Sequence, residues 1–300
     1  AKKLGIKTGM RIGDAKKIYP KVIALTPDPP KYRHVHKKIL KILKNYSLKV
    51  IPKSIDEFVF KVLDDSDPVK VALEIKQRIK NEVGEYITVS VGISVNRYLA
   101  KIASNLKKPD GLSVIDSSNY IYVFSKLKLT DLTGIKRGNS TRLNLVGIKT
   151  VLDFCNSTLN KLKLAFGVIG GLYWFLRLKG FEVDNFKSTR KMYGNSFAPP
   201  PNEASNTFKI LSKLTQKTGL RIRNAGLKVG GVHLFLQDRN GSSWHMGRKL
   251  NRDIFDSNDL YIELERLLNI SPIKDNLRNI AISTYNLKNK KSLQDRKSVV

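Results

Sequence analysis

Residues 90 to 114 read Ser90-Val91-Gly92-Ile93-Ser94-Val95-Asn96-Arg97-Tyr98-Leu99-Ala100-Lys101-Ile102-Ala103-Ser104-Asn105-Leu106-Lys107-Lys108-Pro109-Asp110-Gly111-Leu112-Ser113-Val114. The apolar, β-branched run Ile87 to Ile93 leads into this stretch and predicts a buried strand. Val95 to Leu106 predicts a helix, and Lys108-Pro109-Asp110-Gly111 is a strong signal to stop it. Upstream, Ser54-Ile55-Asp56-Glu57 sets two carboxylates side by side, with strand material at Leu48 to Ile51 and Glu57 to Leu63. Val69 to Val83 then predicts an amphipathic helix. Strand, carboxylate pair, helix, strand, helix is the order of an α+β sheet with helices on one face. Neighbours in a regular strand point to opposite faces, so Asp56 and Glu57 can share a site only at a bulge or strand start.

Working outward, Ala1 to Leu4 finishes a helix at Gly5, and Ile12 to Tyr19 predicts a short second helix stopped by Pro20. Val22 to Leu25 predicts a short strand, and the prolines at 27, 29 and 30 turn the chain into a helix over Tyr32 to Tyr46. From Lys128 the texture changes to short helices, with Gly134-Ile135-Lys136 and Val146-Gly147-Ile148-Lys149-Thr150 as turns between them. Asp184 to Thr189 reads as a linker. Beyond it come a strand at Arg190 to Phe197, a helix at Glu203 to Arg223, and strands at Lys228 to Gln237 and Ser243 to Arg248. Asp238-Arg239-Asn240-Gly241 joins those two strands, and its Asn-Gly is a strong hairpin cue. A helix at Asn258 to Leu268 and a strand at Leu277 to Tyr285 complete a ferredoxin-like β-α-β-β-α-β order.

Three hundred residues, 41% of them hydrophobic, can bury a sizeable core and favour several folding units. Fifty-five Lys and Arg against 25 Asp and Glu give a formal charge of +30, which points to a polyanionic partner, nucleic acid first. A ribosomal or RNA-binding protein also explains that charge, but not Asp56-Glu57 together with Lys108-Pro109. Cys155 is the only cysteine, so no intrachain disulfide can form and a reducing, cytoplasmic setting is expected. His34, His36, His233 and His245 lack zinc-finger spacing and are expected on the surface or in packing. No run approaches the roughly 20 apolar residues of a membrane span, and no signal-peptide core opens the chain.

Together, Ser54-Ile55-Asp56-Glu57, the run 90 to 114, Gly5-Ile6-Lys7-Thr8-Gly9-Met10 and the order of the last unit resemble the Y-family DNA polymerases over nearly all of the chain. Within that family the general likeness is to the bacterial DNA polymerase IV branch. The resemblance implies an α+β multidomain fold: partial fingers at 1–20, a palm with the finger remainder at 21–127, and a helix-hairpin-helix thumb at 128–183. A linker at 184–189, a ferredoxin-like little finger at 190–290 and a tail at 291–300 follow. It further implies template-directed, error-prone DNA synthesis of the translesion type, with primer-template DNA and deoxynucleoside triphosphates as partners. A sliding clamp is a further partner the family allows, and a monomer associated with the bacterial nucleoid is expected.

By the same resemblance, Asp56 and Glu57 hold two magnesium ions, which lower the pKa of the primer hydroxyl and stabilise the leaving pyrophosphate. Lys108 falls to the incoming triphosphate, and Lys101 to the nucleotide, the primer or support of the sheet. Lys2 stands where the family has an arginine on the β- and γ-phosphates, keeping the charge but losing the bidentate fork. Gly134, Lys136, Arg137 and Gly147 are assigned to the thumb's grip on DNA, and Arg190, Lys191, Arg239, Arg248 and Lys249 to the little finger's. Two further departures stand out: Lys61 where relatives have an aspartate, and Lys136 where a second glycine is common. The family's third metal-binding carboxylate and its sugar-screening aromatic belong to a palm strand that would precede Ala1. A shortened, poorly active chain is therefore expected. The alternative is a non-catalytic helix-hairpin-helix DNA-binding protein with a degenerate palm.

Overall fold

The computed structural model describes residues 1–63, 65–184 and 190–289. The expected tail at 291–300 and all of the expected linker except Asp184 lie outside the described residues, as does the side chain of Lys2. The chain divides into two compact units, residues 1–186 and 187–300.

The first unit opens with a single 3-10 turn at Lys2–Leu4, the short helix α1 (Ile12–Ile18) and then α2 (Pro29–Leu43). The strand expected at Val22 to Leu25 does not form, and Ile23 and Leu25 are left 82% and 86% exposed. A lone extended segment gains no ladder, and none pairs with it among the described residues. Strands β1 (Ile51–Pro52) and β2 (Phe58–Val59) make a minimal antiparallel hairpin, much shorter than the strand material expected around it. Helix α3 (Pro68–Glu82) starts like α2: an aspartate cap, Asp28 or Asp67, accepts from N–H groups of the first turn, and proline holds the first helical position. Ile42 and Leu43 of α2 pack against Ile75 and Ile79 of α3.

Strand β3 (Val91–Ser94), helix α4 (Arg97–Leu106) and strand β4 (Leu112–Ile115) form a β-α-β unit with a parallel ladder. The sequence predicted a strand from Ile87; the ladder is limited to the four residues that β4 can match. Asn96 caps α4 by accepting from the N–H of Leu99 at 2.8 Å. Gly92 lets β3 lie directly against α4, because a Cβ there would sit 2.0 Å from the carbonyl oxygen of Ala100 and 2.2 Å from the nitrogen of Ser104.

Helices α5 (Tyr120–Ser125), α6 (Arg137–Leu145), α7 (Val151–Asn156) and α8 (Leu159–Leu178) complete the unit, α8 being broken at Gly167. One apolar core runs from Tyr98, Ile102, Ile115 and Phe124 through Leu132, Ile135, Ile148 and Phe154 to Trp174. The palm–thumb boundary expected at 127/128 thus passes through shared packing. Cys155 lies in this core, and burial pushes its thiol up to about 12, which leaves it no thiolate chemistry near neutrality.

The second unit has the predicted order: β5 (Tyr193–Phe197), α9 (Thr207–Asn224), β6 (Leu227–Asp238), β7 (Ser243–Ile254), α10 (Ser257–Ile270) and β8 (Leu277–Asn289). The sheet runs β5-β8-β6-β7 with every neighbouring pair antiparallel, so β8 is inserted between β5 and β6. Leu211, Leu264 and Leu268 of the two helices meet Val232, Leu234, Leu236, Ile280 and Ile282 on one face of the sheet. Among the described residues of this unit, no helix packs on the other face, to which the alternate side chains point. Among the described residues no helix is long and apolar enough to cross a membrane.

Candidate active site and nucleic-acid interface

Asp56 and Glu57 sit in the turn of the β1–β2 hairpin, immediately before β2, which answers how adjacent residues can serve one site. The turn closes through the N–H groups of Lys53 and Ser54, both donating to the carbonyl of Glu57 at 2.8 and 3.3 Å. Ser54 Oγ donates to Asp56 Oδ1 at 2.5 Å. From α2, His36 donates through Nδ1 to the carbonyl of Ile55 at 2.9 Å, and its ring stacks on Phe58 at 4.8 Å. His36 therefore fixes the turn from outside; its 19-residue separation from Ile55 left no signal in the sequence.

Lys101, in α4, forms an ion pair with Glu57 Oε1. A cation already rests on one of the two carboxylates, and Asp56 is exposed with only a serine hydroxyl on its oxygen. Such exposed, hard oxygen donors fit a divalent cation that keeps waters and substrate phosphates in its remaining positions. No cluster of three or more His, Cys, Asp or Glu able to hold a metal occurs among the described residues, so Asp56 and Glu57 are the candidate ligands among them.

Lys108 does not continue the helix with Lys101. Helix α4 ends at Leu106, as the stop signal predicts, and Lys108 stands exposed in the turn that follows. The stop signal acts earlier than its proline because Lys107 is already extended.

The two glycine turns of the helical segment differ. Both glycines take positive φ, 86° at Gly134 and 78° at Gly147, and each puts the following isoleucine wholly inside. The Gly147 turn satisfies its own donors: Val146, Gly147 and Ile148 N–H groups donate to helix carbonyls, and those of Lys149 and Thr150 to Asp153 Oδ2. The Thr150 and Lys149 N–H groups hold the Asp153 carboxyl below the usual carboxylate range. The Gly134 turn leads into α6 with no side-chain cap on its first N–H groups, and Lys136 and Arg137 are exposed beside it. Lys136 Nζ donates to the carbonyl of Thr130 at 3.3 Å. The helix start after Gly134 therefore keeps first-turn N–H groups without a side-chain cap beside basic side chains, whereas Asp153 accepts from those of the Gly147 turn.

In the second unit, the register separates residues the sequence grouped together. Arg248 pairs with the core residue Val232 and reaches Glu263 of α10 at 3.6 Å, so it faces the helices. Lys249 pairs with Gly231 on the open face. Arg239 donates from Nη2 to the carbonyl of Pro199 at 2.7 Å, which ties the β6–β7 turn to the segment after β5. Arg190 lies 4.8 Å over the ring of Tyr193, and Lys191 is exposed. The open face also carries His233 and His245, their ring nitrogens 3.3 Å apart. Burial and the neighbouring His245 hold His233 below the usual imidazole range.

A paired carboxylate turn beside a lysine-bearing helix, with an uncapped helix start and a sheet face carrying basic residues, fits a nucleotidyl-transfer and DNA-binding class of protein. Residues 1–105 match the impB/mucB/samB family and residues 192–296 match that family's C-terminal domain, together more than half of the chain. The chain belongs to this family, and the Y-family DNA polymerase resemblance read from the sequence is borne out. It is 27% identical to a DNA polymerase IV of Clostridium acetobutylicum, over 90% of this chain and 69% of that protein. It is 31% identical to a DNA polymerase IV of Staphylococcus aureus, over 74% of this chain and 64% of that one. A solved Y-family DNA polymerase chimera, Dbh-Dpo4(243-245)-Dbh, superposes with a TM-score of 0.80 at 24% identity, covering 96% of this chain and 85% of its own.

Proposed function

We propose that this chain works as a template-directed DNA polymerase of the translesion type, adding deoxynucleotides to a primer 3′ end. The single observation that supports the site is the Asp56–Glu57 turn with Lys101 of α4 on Glu57. Y-family polymerases are divalent-metal dependent. Asp56 and Glu57 are the ligands in this reading, and magnesium, as two ions, is the metal. Bound there, the ions would lower the pKa of the primer hydroxyl and stabilise the charge on the pyrophosphate that leaves.

The chain's own residues do the rest. His36 keeps the carboxylate turn in place, and Lys101 keeps Glu57 turned toward α4 while neutralising it. Lys108 neutralises the triphosphate of the incoming nucleotide, and Lys2 assists at its outer phosphates. Gly134, Lys136 and Arg137 bind a backbone phosphate at the start of α6. Arg190, Lys191, Arg239 and Lys249 follow the duplex backbone, a contact that positions DNA without reading its bases. In this reading the protein is a monomer acting at the nucleoid, with a sliding clamp as a further partner.

The test is Asp56→Ala in the full-length protein. Primer extension should be lost while affinity for primer-template stays within about twofold, since a metal ligand and not a DNA contact is removed. Extension at the parental rate would end the assignment of Asp56.

A further inference from the structure

The turn that carries Lys108 is held from one side by a lysine of α3. Lys76 Nζ donates to the carbonyl of Asp110 at 2.5 Å, to Asp110 Oδ1 at 2.8 Å and to the carbonyl of Val89 at 3.3 Å. Its side chain is only 16% exposed, unusual for a lysine in so basic a chain. All three of its ammonium donors are thus used within the protein. They join the strand entering β3 to the turn leaving α4.

The turn needs such a hold. Asp110 has φ of 56°, a left-handed conformation that costs an ordinary side chain energy and that aspartate tolerates better than most. The next residue is locked too: a Cβ on Gly111 would lie 1.9 Å from the carbonyl oxygen of Lys107. Gly111 N–H donates to Ser90 Oγ at 3.2 Å, and its carbonyl accepts from Val91 at 2.9 Å. Lys76 therefore grips both the carbonyl and the carboxylate of the strained residue. Its hydrogen bond, aided by the nearby charges of Lys76 and Lys80, holds the Asp110 carboxyl below the usual range.

We propose that Lys76 is a positioning residue for nucleotide use: by clamping Asp110 it fixes the turn from which Lys108 reaches the triphosphate. This rests on the reading of Lys108 as the triphosphate lysine. Lys76 itself touches no substrate. Without the clamp the turn samples other conformations, and the bound nucleotide must select the competent one, which weakens its apparent affinity in proportion.

The experiment compares Lys76→Met, Asp110→Asn, Lys108→Ala and the double variant Lys76→Met/Lys108→Ala in full-length protein, measuring kcat, nucleotide KM, primer-template Kd and melting temperature. Methionine keeps the apolar stem, and asparagine tolerates the left-handed backbone, so at least one of the two clamp variants folds without new strain. Lys76→Met should raise nucleotide KM on the order of tenfold, the low end of the scale for one lost hydrogen bond to a charged group, with kcat and DNA affinity nearly unchanged. Asp110→Asn should move KM the same way, and Lys76→Arg should recover part of the loss. In the Lys108→Ala background the Lys76 change should add almost nothing, because the residue being positioned is gone. An equal KM rise in both backgrounds, or none in the single variant, overturns the inference. If Lys108→Ala alone leaves KM unchanged, it is the reading of Lys108 that fails, and the role of Lys76 falls with it.

Discussion

Gly92→Ala tests whether the contact between β3 and α4 sets both the stability of the first unit and the placement of its lysines. The added Cβ would lie 2.0 Å from the Ala100 carbonyl oxygen and 2.2 Å from the Ser104 nitrogen, both backbone atoms that no rotamer change can move. Relief to an ordinary contact needs a separation larger by more than about 1 Å. A gap of 0.5–1 Å already forfeits roughly a quarter to a half of the dispersion energy along an interface. Overpacked cores typically lose about 1–3 kcal/mol, and a clash with backbone belongs at the top of that range. A loss of about 3 kcal/mol would lower the melting point of a unit of this size by roughly 6–12 °C. Calorimetry should show that drop in the transition of the first unit and little change in that of the second. Primer extension should fall further than stability alone requires, because α4 carries Lys101 and ends at the Lys108 turn. Gly138→Ala is the control: it lies in α6, a Cβ there meets nothing within 4 Å, and it should be neutral or stabilising by up to about 1 kcal/mol. If Gly92→Ala melts like its parent, β3 and α4 do not lie as closely as described.

Lys249→Ala should reduce the slope of log affinity for DNA against log salt by about one, whereas Arg248→Ala should leave that slope nearly unchanged, because Arg248 faces α10. Equal effects from the two would mean the open face of the sheet is not the DNA face. Acid should destabilise the second unit below about pH 6.5, where the unfolded chain takes up a proton that His233, held below its ordinary value, resists in the folded sheet. The loss should grow from that pH down to the depressed folded value and then level off, and His233→Gln should flatten the profile in that window. A profile unchanged by the substitution would assign the acid sensitivity elsewhere.

How legible the molecule was depended on how local each feature is. The β-α-β-β-α-β order of the second unit follows from alternation, turn residues and helix stops, all of which act within a few residues, and Asn240-Gly241 marks its hairpin. Its strands outrun their predicted ends: β7 continues to Ile254, where charged residues such as Arg252 and Asp253 hid the alternation. Those charges are paired across the structure, with Asp259 and Lys288, and only tertiary contacts make them compatible with a strand. The strand predicted at Val22 failed for the converse reason, a local pattern without a partner.

The candidate site shows the same division. Asp56, Glu57 and Lys108 are candidates because short motifs carry them, yet the groups that hold their turns gave no such signal. His36 is 19 residues from the carbonyl it fixes and Lys76 is 34 from the aspartate it clamps, so each looks like one more basic residue on an amphipathic helix. Other distinctions are local: Arg248 and Lys249 take opposite faces of the sheet because strand neighbours alternate, and the Gly147 turn differs from the Gly134 turn because Asp153, three to four residues on, accepts from its N–H groups. The Asp56–Glu57 pair and Lys108 each sit on a turn, and the side chain that holds each turn comes from a helix, His36 from α2 and Lys76 from α3. The turn lets consecutive residues project together, and the helix supplies the rigidity that a turn lacks. A change that leaves the motif intact but removes its support should therefore damage nucleotide use while leaving the recognisable sequence untouched.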